Sequence, residues 1–129
     1  HPQQPKGGSA NITPQNMFNS PDGMGFDDAG RLWILTDGDV SNTGDFAGMG
    51  NNQMLCADPN TGEIRRFMVG PVGCEVTGIS FAPDQKTLFV GIQHPGENGG
   101  STFPEHLPGG KPRSSVMAIS REDGGIVGA

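Results

Sequence analysis

Glu75 is the residue whose type and setting most directly indicate chemistry. It lies in the glycine-rich segment Gly70–Gly78, just before an apolar run that predicts a β-strand. A carboxylate at the point where a turn enters a strand has a fixed backbone and free oxygen atoms. Such a group suits a hard cation such as Ca²⁺ better than it suits a core. The alternative is a solvated loop acid with no ligand.

Asp22 is a second candidate, in an equivalent place in the first half of the sequence. It belongs to the segment Pro21-Asp22-Gly23, which precedes an earlier apolar run. If the two halves are structural repeats, Asp22 and Glu75 approach a common point, and a Ca²⁺ site needs such convergence of oxygen ligands. Asp22 is equally consistent with the turn residue of a Pro-Asp-Gly turn.

Two further residues have side chains that could contact an anionic substrate, and a third is an acid at the end of a strand. His94, which precedes Pro95, could be a metal ligand, a phosphate contact or an exposed loop residue. Arg113 could bind a phosphate group or simply be a solvated cation. Asp37 is interpreted as a turn residue at the end of a strand. The sequence has no nucleophile elbow, P-loop, zinc-protease or Cys-x-x-Cys motif, so no catalytic residue is assigned.

The elements that would position these residues are short strands separated by Gly, Pro, Asn and Asp turns. The predicted strands are 23–27, 31–36, 53–57 and 63–69 in the first half, then 76–82, 87–92, 115–119 and 126–127 in the second. Each half therefore predicts an antiparallel unit of four strands.

The pattern predicts an all-β fold, consisting of two four-stranded antiparallel blades that form a fragment of a β-propeller. We place the blades at residues 16–70 and 71–129, after a linker or flexible edge at 1–15. A sandwich and two independent meanders are alternatives. Since propellers have about four to eight blades, we expect a larger parent protein. Exposed blade faces and edges predict self-association.

Composition and charge restrict the class of protein. Gly (22 residues) and Pro (11 residues) make up about a quarter of the chain, which argues against a compact helical domain. A net charge of −6 argues against nucleic acid or an anionic membrane surface as a partner. No apolar run approaches the length of a membrane span. Cys56 and Cys74 have neither metal-type nor disulfide-framework spacing, and predict two buried or half-buried thiols.

Three segments together resemble the C-terminal part of the PhoX-type alkaline phosphatases, a bacterial family. The first runs from Ser20 to Gly38 and the second from Asn52 to Phe67. The third contains the two most specific pieces, Gly-Cys-Glu-Val-Thr-Gly (73–78) and Gln-His-Pro-Gly-Glu (93–97). The resemblance extends over roughly residues 16–128.

The resemblance implies a secreted, periplasmic or extracellular, phosphomonoesterase on a β-propeller with iron and calcium at the channel mouth. It implies that Glu75 is a metal ligand and that Asp22 is a second one, whereas His94 and Arg113 would contact the phosphate ester. It does not identify the attacking oxygen nucleophile. The family's N-terminal part, which supplies other ligands, has no counterpart here. The isolated chain is therefore expected to bind calcium or no metal, and to be inactive.

Two other functions remain open at the level of sequence. A calcium-dependent lactonase-like propeller would use Asp22 and Glu75 as ligands of a single Ca²⁺ ion. A non-catalytic propeller scaffold would instead present the loops 38–52 and 94–113 as a binding surface.

Overall fold

The computed structural model describes residues 12–129, which form two antiparallel β-sheets without an α-helix in that range. The first sheet contains, in spatial order, β1 (Pro21–Phe26), β2 (Leu32–Thr36), β3 (Gln53–Ala57) and β4 (Ile64–Val69). The second contains β5 (Glu75–Phe81), β6 (Thr87–Gln93) and β7 (Ser115–Ser120). The all-β prediction is confirmed. Within 12–129, no helix has the length and apolar character needed to cross a bilayer.

The core lies between the two sheets and follows from alternation along the strands. In β6, Leu88, Val90 and Ile92 are buried, while Phe89 faces the other side. From the first sheet, Trp33, Leu35 and Met54 fill the same space. The Trp33 ring makes edge-on contacts with Phe67 and Phe81, at centroid distances of 4.8 and 5.7 Å. Such aromatic pairs stabilise the core beyond the area that they bury.

Asp27 forms the polar centre of the β1–β2 hairpin. Its Oδ1 accepts hydrogen bonds from the backbone N–H groups of Ala29 and Arg31, each at 3.0 Å. Its Oδ2 accepts bonds from Arg31 Nε at 2.7 Å and from Trp33 Nε1 at 2.9 Å. Burial alone would raise the pKa of this carboxyl, but the bonds from Trp33 and Arg31 outweigh it and lower the pKa. The carboxylate thus connects the turn to the core.

The prediction of a fourth strand at 126–127 is wrong, because the second sheet has three strands. This segment crosses to the core instead of pairing with β7. The Val127 N–H donates to Gln85 O at 3.0 Å, and Arg31 Nη2 donates to Val127 O at 3.2 Å. Gly128, at φ 86°, lies so close to the Trp33 ring that an added Cβ would clash with it. A run of two apolar residues is too short to indicate from sequence whether it forms a strand beside β7 or packs against the core.

The two thiols are placed as predicted. Cys56 is half-buried and Cys74 is buried, and neither forms a disulfide. Burial raises the pKa of the Cys74 thiol to about 11, so it stays protonated and unreactive near neutral pH.

Candidate metal centre

The end of β6 brings Glu75 and His94 together. Glu75 is the first residue of β5, rather than a turn residue before the strand, and it pairs with Gln93, the last residue of β6. His94 follows directly, so its Nε2 lies 3.6 Å from Glu75 Oε2. Glu75 is only 8% exposed, although it is a carboxylate. A buried acid of this kind needs a compensating partner.

Asp37 completes the group from the other sheet. It follows β2 directly, and its N–H donates to Ser20 O at 3.1 Å, which holds it beside the start of β1. Asp37, Glu75 and His94 each offer one ligand atom, and these three atoms lie within 4.8 Å of one another. We call this group the Asp37–Glu75–His94 cluster. It lies across the junction of the two sheets.

The electrostatics of the cluster favour a bound cation. Burial raises the pKa of the Glu75 carboxyl, and the negative charges of Asp37 and then Asp22 raise it further, while His94 acts in the opposite direction. Ionised Glu75 is therefore disfavoured by its surroundings. A cation between the carboxylates would remove this penalty.

Asp22 lies near the cluster but is not one of its three ligand residues. It belongs to β1, next to a register irregularity between Pro21 and Met24, and its side chain is exposed. Its negative charge acts on Glu75. The charge of Asp22 therefore affects Glu75, whereas the convergence of the two side chains on one ion, with direct ligation by Asp22, stays a prediction.

The loop after β6 fixes the His94 imidazole. His94 has a φ of 37°, in the left-handed region, and its N–H donates to Ser114 Oγ at 3.0 Å. Its Nδ1 lies 3.3 Å from Gly73 O and 3.5 Å from a Glu97 carboxylate oxygen. With the Nδ1 proton donated to one of these oxygens, Nε2 keeps a lone pair on the side of Glu75. The ring is thus oriented as a ligand would be.

Arg113 lies outside the cluster. Its guanidinium forms an ion pair with Glu105, and its backbone N–H donates to Phe103 O at 2.9 Å. The next residue, Ser114, accepts the His94 N–H bond, so Arg113 is close along the chain to the site. Substrate binding by Arg113 and His94 stays a prediction.

The donors present fit part of a metal site. Two carboxylates supply the oxygen ligands that calcium prefers, and an imidazole nitrogen suits iron and other transition metals. Ca²⁺ takes about six to eight oxygen ligands, more than the Asp37–Glu75–His94 cluster offers. Further ligands would have to come from other groups.

Asp37 was missed as a site residue because its sequence context is that of an ordinary strand-end turn. The usable signal was its place immediately after β2, which is paired with the strand that carries Asp22. Only the docking of the two sheets brings it to Glu75.

Comparisons with known proteins indicate the family of this chain. A family model described as alkaline phosphatase PhoX matches residues 1–96. Among solved structures, the chain is similar to Pseudomonas fluorescens PhoX in complex with vanadate, a transition state analogue, with 90% sequence identity and a TM-score of 0.92. The match covers all of this chain and 22% of that chain. No curated protein gives a significant match.

Proposed function

Because the chain belongs to the PhoX alkaline phosphatase family, we propose that it is part of a metal-dependent enzyme that hydrolyses phosphate monoesters. The chain spans 22% of the length of the solved PhoX structure that it resembles. The observation that supports the proposal most is the Asp37–Glu75–His94 cluster, in which a buried carboxylate faces a second carboxylate and an oriented imidazole.

The metal would be held by the Asp37 and Glu75 carboxylates and by His94 Nε2. Bound there, it would supply positive charge to the phosphate oxygens and would activate an oxygen nucleophile. The chain's own residues prepare the place: Asp37 and Asp22 give it a negative field, and the contacts of the His94 ring with Gly73 O and Glu97 orient Nε2. Calcium and iron are the proposed metals, since the donors are both carboxylate and imidazole.

Arg113 is the proposed contact to the phosphate ester, and His94 would be a second contact only if its Nε2 does not hold the metal. Arg113 has an exposed side chain, and its present partner, Glu105, is also solvent-accessible. A surface ion pair of this kind contributes little stability. The guanidinium can therefore exchange Glu105 for a phosphate group, which it would bind through two parallel N–H bonds.

Removal of metal tests the proposed function in the full-length protein. We expect a chelator to abolish hydrolysis of p-nitrophenyl phosphate, and calcium together with ferric iron to restore it, because the metals neutralise the phosphate charge. Metal content by mass spectrometry and the initial rate are the measurements. Activity that persists after complete metal removal would contradict the proposal.

The same assay separates the alternatives. Calcium without iron, combined with hydrolysis of a lactone, would indicate a lactonase. A full-length protein with neither metal nor hydrolytic activity would indicate a binding scaffold. The isolated chain is proposed to be inactive in every assay, since its cluster supplies too few ligands for a multinuclear site.

We further propose that the two sheets are blades of a propeller, on the evidence of their outer faces. Met24 (71% exposed) and Phe26 (62%) lie on the face of the first sheet opposite Trp33. Val116 (74% exposed) lies on the face of the second sheet opposite Val90. Apolar side chains on both outer faces are typical of an element that is packed on both sides.

Self-association of the isolated chain follows from these faces. We expect a monomer–oligomer equilibrium that shifts with concentration in sedimentation velocity, and we expect Met24→Glu combined with Val116→Glu to move it toward monomer. A charge placed in an apolar contact disfavours association. Val72→Glu is the matched control, because Val72 is exposed in a turn outside both faces. A chain that is monomeric at every concentration would contradict this prediction.

A further inference from the structure

The Asn52 side chain is buried and uses its full hydrogen-bonding capacity. Its Oδ1 accepts bonds from Thr36 Oγ1 and from the Gly38 N–H, both at 2.8 Å. Its Nδ2 donates to Gly38 O at 3.1 Å and to Cys74 O at 3.0 Å. An amide offers two donor hydrogens and two acceptor positions, so all four are occupied.

The four bonds lie at the backbone on either side of the cluster's two carboxylates. Thr36 and Gly38 flank Asp37, and Cys74 immediately precedes Glu75. One amide therefore joins the end of β2 in the first sheet to the start of β5 in the second. The packing between the sheets is otherwise largely apolar, and apolar contacts are not directional.

The neighbouring Asn51 holds the turn that contains Gly73, whose carbonyl oxygen contacts the third member of the cluster, His94. Its Nδ2 donates to Gly70 O at 2.6 Å, and its Oδ1 accepts the Gly73 N–H at 3.3 Å. Gly73 O in turn faces His94 Nδ1. The two asparagines together therefore connect the loop before β3 to the backbone that presents every member of the cluster.

We infer that Asn52 is a positioning residue, which sets the separation of Asp37 and Glu75 and thereby the affinity of the site for a cation. This inference rests on the proposed function. If Asn52 only filled space between the two sheets, any residue of similar volume could replace it. The observed geometry instead needs an amide, because two donors and two acceptors converge on one side chain.

Asn52→Asp distinguishes hydrogen bonding from volume. The new side chain has nearly the same size as asparagine, but its carboxylate would face the carbonyl oxygens of Gly38 and Cys74 without a hydrogen to donate. Leu55→Ala is a matched control, because Leu55 is fully buried in the same sheet on the face opposite Met54. It creates a cavity and lowers stability without touching the Asn52 bonds.

Calcium titration of this chain by calorimetry, with melting temperatures recorded alongside, is the first measurement. We expect Asn52→Ala and Asn52→Asp to weaken Ca²⁺ binding by about 10- to 100-fold, the usual effect of removing a group that orients metal ligands. Leu55→Ala is expected to lower the melting temperature and leave the affinity unchanged. Unchanged affinity in both Asn52 variants would overturn the inference, as would losses that follow melting temperature equally in all three variants.

Amide hydrogen exchange in metal-free chain supplies an independent measurement. Faster exchange at Asp37, Gly38 and Glu75 in Asn52→Ala, relative to amides of the β6–β7 ladder and to Leu55→Ala, would support the positioning role. Uniform change across the sheet would overturn it. If the unaltered chain binds no calcium, the proposed cation site fails in this chain, while the exchange result still decides the inference.

A milder variant covers the case in which Asn52→Ala does not fold. Thr36→Val removes one of the four bonds, together with the bond that Thr36 Oγ1 accepts from the Gln53 N–H, and keeps the shape of the side chain. We expect a smaller loss of Ca²⁺ affinity together with faster exchange at Gly38. Neither change in a folded Thr36→Val chain would count against the role of Asn52.

Discussion

Replacing Glu75 by glutamine is expected to lower the phosphatase activity proposed for the full-length protein by about 100-fold or more, since the proposed metal site would lose a charged ligand. Glutamine keeps the size of the side chain but removes the negative charge that a cation would bind. In the isolated chain, any Ca²⁺ binding should disappear with the same substitution. Glu75 is the most buried acid of the cluster, so solvent cannot take over its role.

The stability of the metal-free chain is expected to move in the opposite direction. Burial and the charges of Asp37 and Asp22 raise the pKa of Glu75, so folding favours its protonated form and its ionisation opposes folding above that pKa. A neutral glutamine removes this repulsion. We therefore expect an unchanged or higher melting temperature near neutral pH.

Activity, calorimetry and thermal melting together check the Glu75 prediction. Glu122→Gln is the control, because Glu122 is an exposed turn residue after β7 and lies outside the cluster. It should leave all three measurements unchanged. Full activity in Glu75→Gln would show that Glu75 is not a metal ligand. A marked drop in melting temperature would show that Glu75 has a structural role instead.

Asp27→Asn is expected to destabilise the chain by about 3 kcal/mol near neutral pH. The buried, hydrogen-bonded charge is lost, and the N–H groups of Arg31 and Trp33 lose their acceptor. The amide nitrogen of asparagine would replace Oδ2 and point toward the N–H groups of Arg31 and Trp33. Chemical denaturation of both chains gives the difference in unfolding free energy.

The effect of Asp27→Asn should depend on pH in a defined direction. The pKa of Asp27 is lowered from its ordinary 3.8 in the folded chain. A carboxyl with a depressed pKa contributes stability above its unfolded pKa and loses it as the pH falls through the folded value. The difference between the two chains should therefore be full at neutral pH and shrink below about pH 4.

Asp58→Asn is the matched control for this pH dependence. Asp58 also lies in a hairpin turn and also has a lowered pKa, chiefly through the backbone N–H of Asn60, but it is half-buried, whereas Asp27 is buried. Its replacement should change the unfolding free energy little. An Asp27→Asn chain as stable as the parent at neutral pH would show that the hydrogen bonds of Asp27 contribute no net stability.

The strands could be predicted because their signals are local. Alternation along β7 and the turn residues between β3 and β4 indicate where strands begin and end, and β3 was predicted at its observed bounds. The segment 126–127 was predicted wrongly because the Val127 side chain packs in the core instead of belonging to a strand, while Ile126 is exposed. A residue's burial is visible in the sequence pattern, whereas its pairing partner is not.

The candidate site could be predicted only where one residue's own setting was informative. Glu75 was identified because an acid at a strand entry, amid glycines, is unusual in a core. Asp37 has no such local mark, since its role depends on the docking of β2 against β5. Asn52 escaped notice for the same reason: its three partner residues lie 14, 16 and 22 residues away along the chain.

The order of strands in the two sheets has a consequence for how the chain reaches its native state. Within each sheet, the strands that pair are also neighbours in sequence, so neither sheet needs a crossover, although the connections 37–52 and 94–114 are long. The entropy cost of closing a loop grows only slowly with its length, so each sheet can form from its own contacts before the two sheets dock. The Asp37–Glu75–His94 cluster, however, contains residues of both sheets and exists only after they dock. A cation site formed by this cluster would therefore be assembled only after the sheets dock, and a chain that is still acquiring its sheets would have no place to bind the ion.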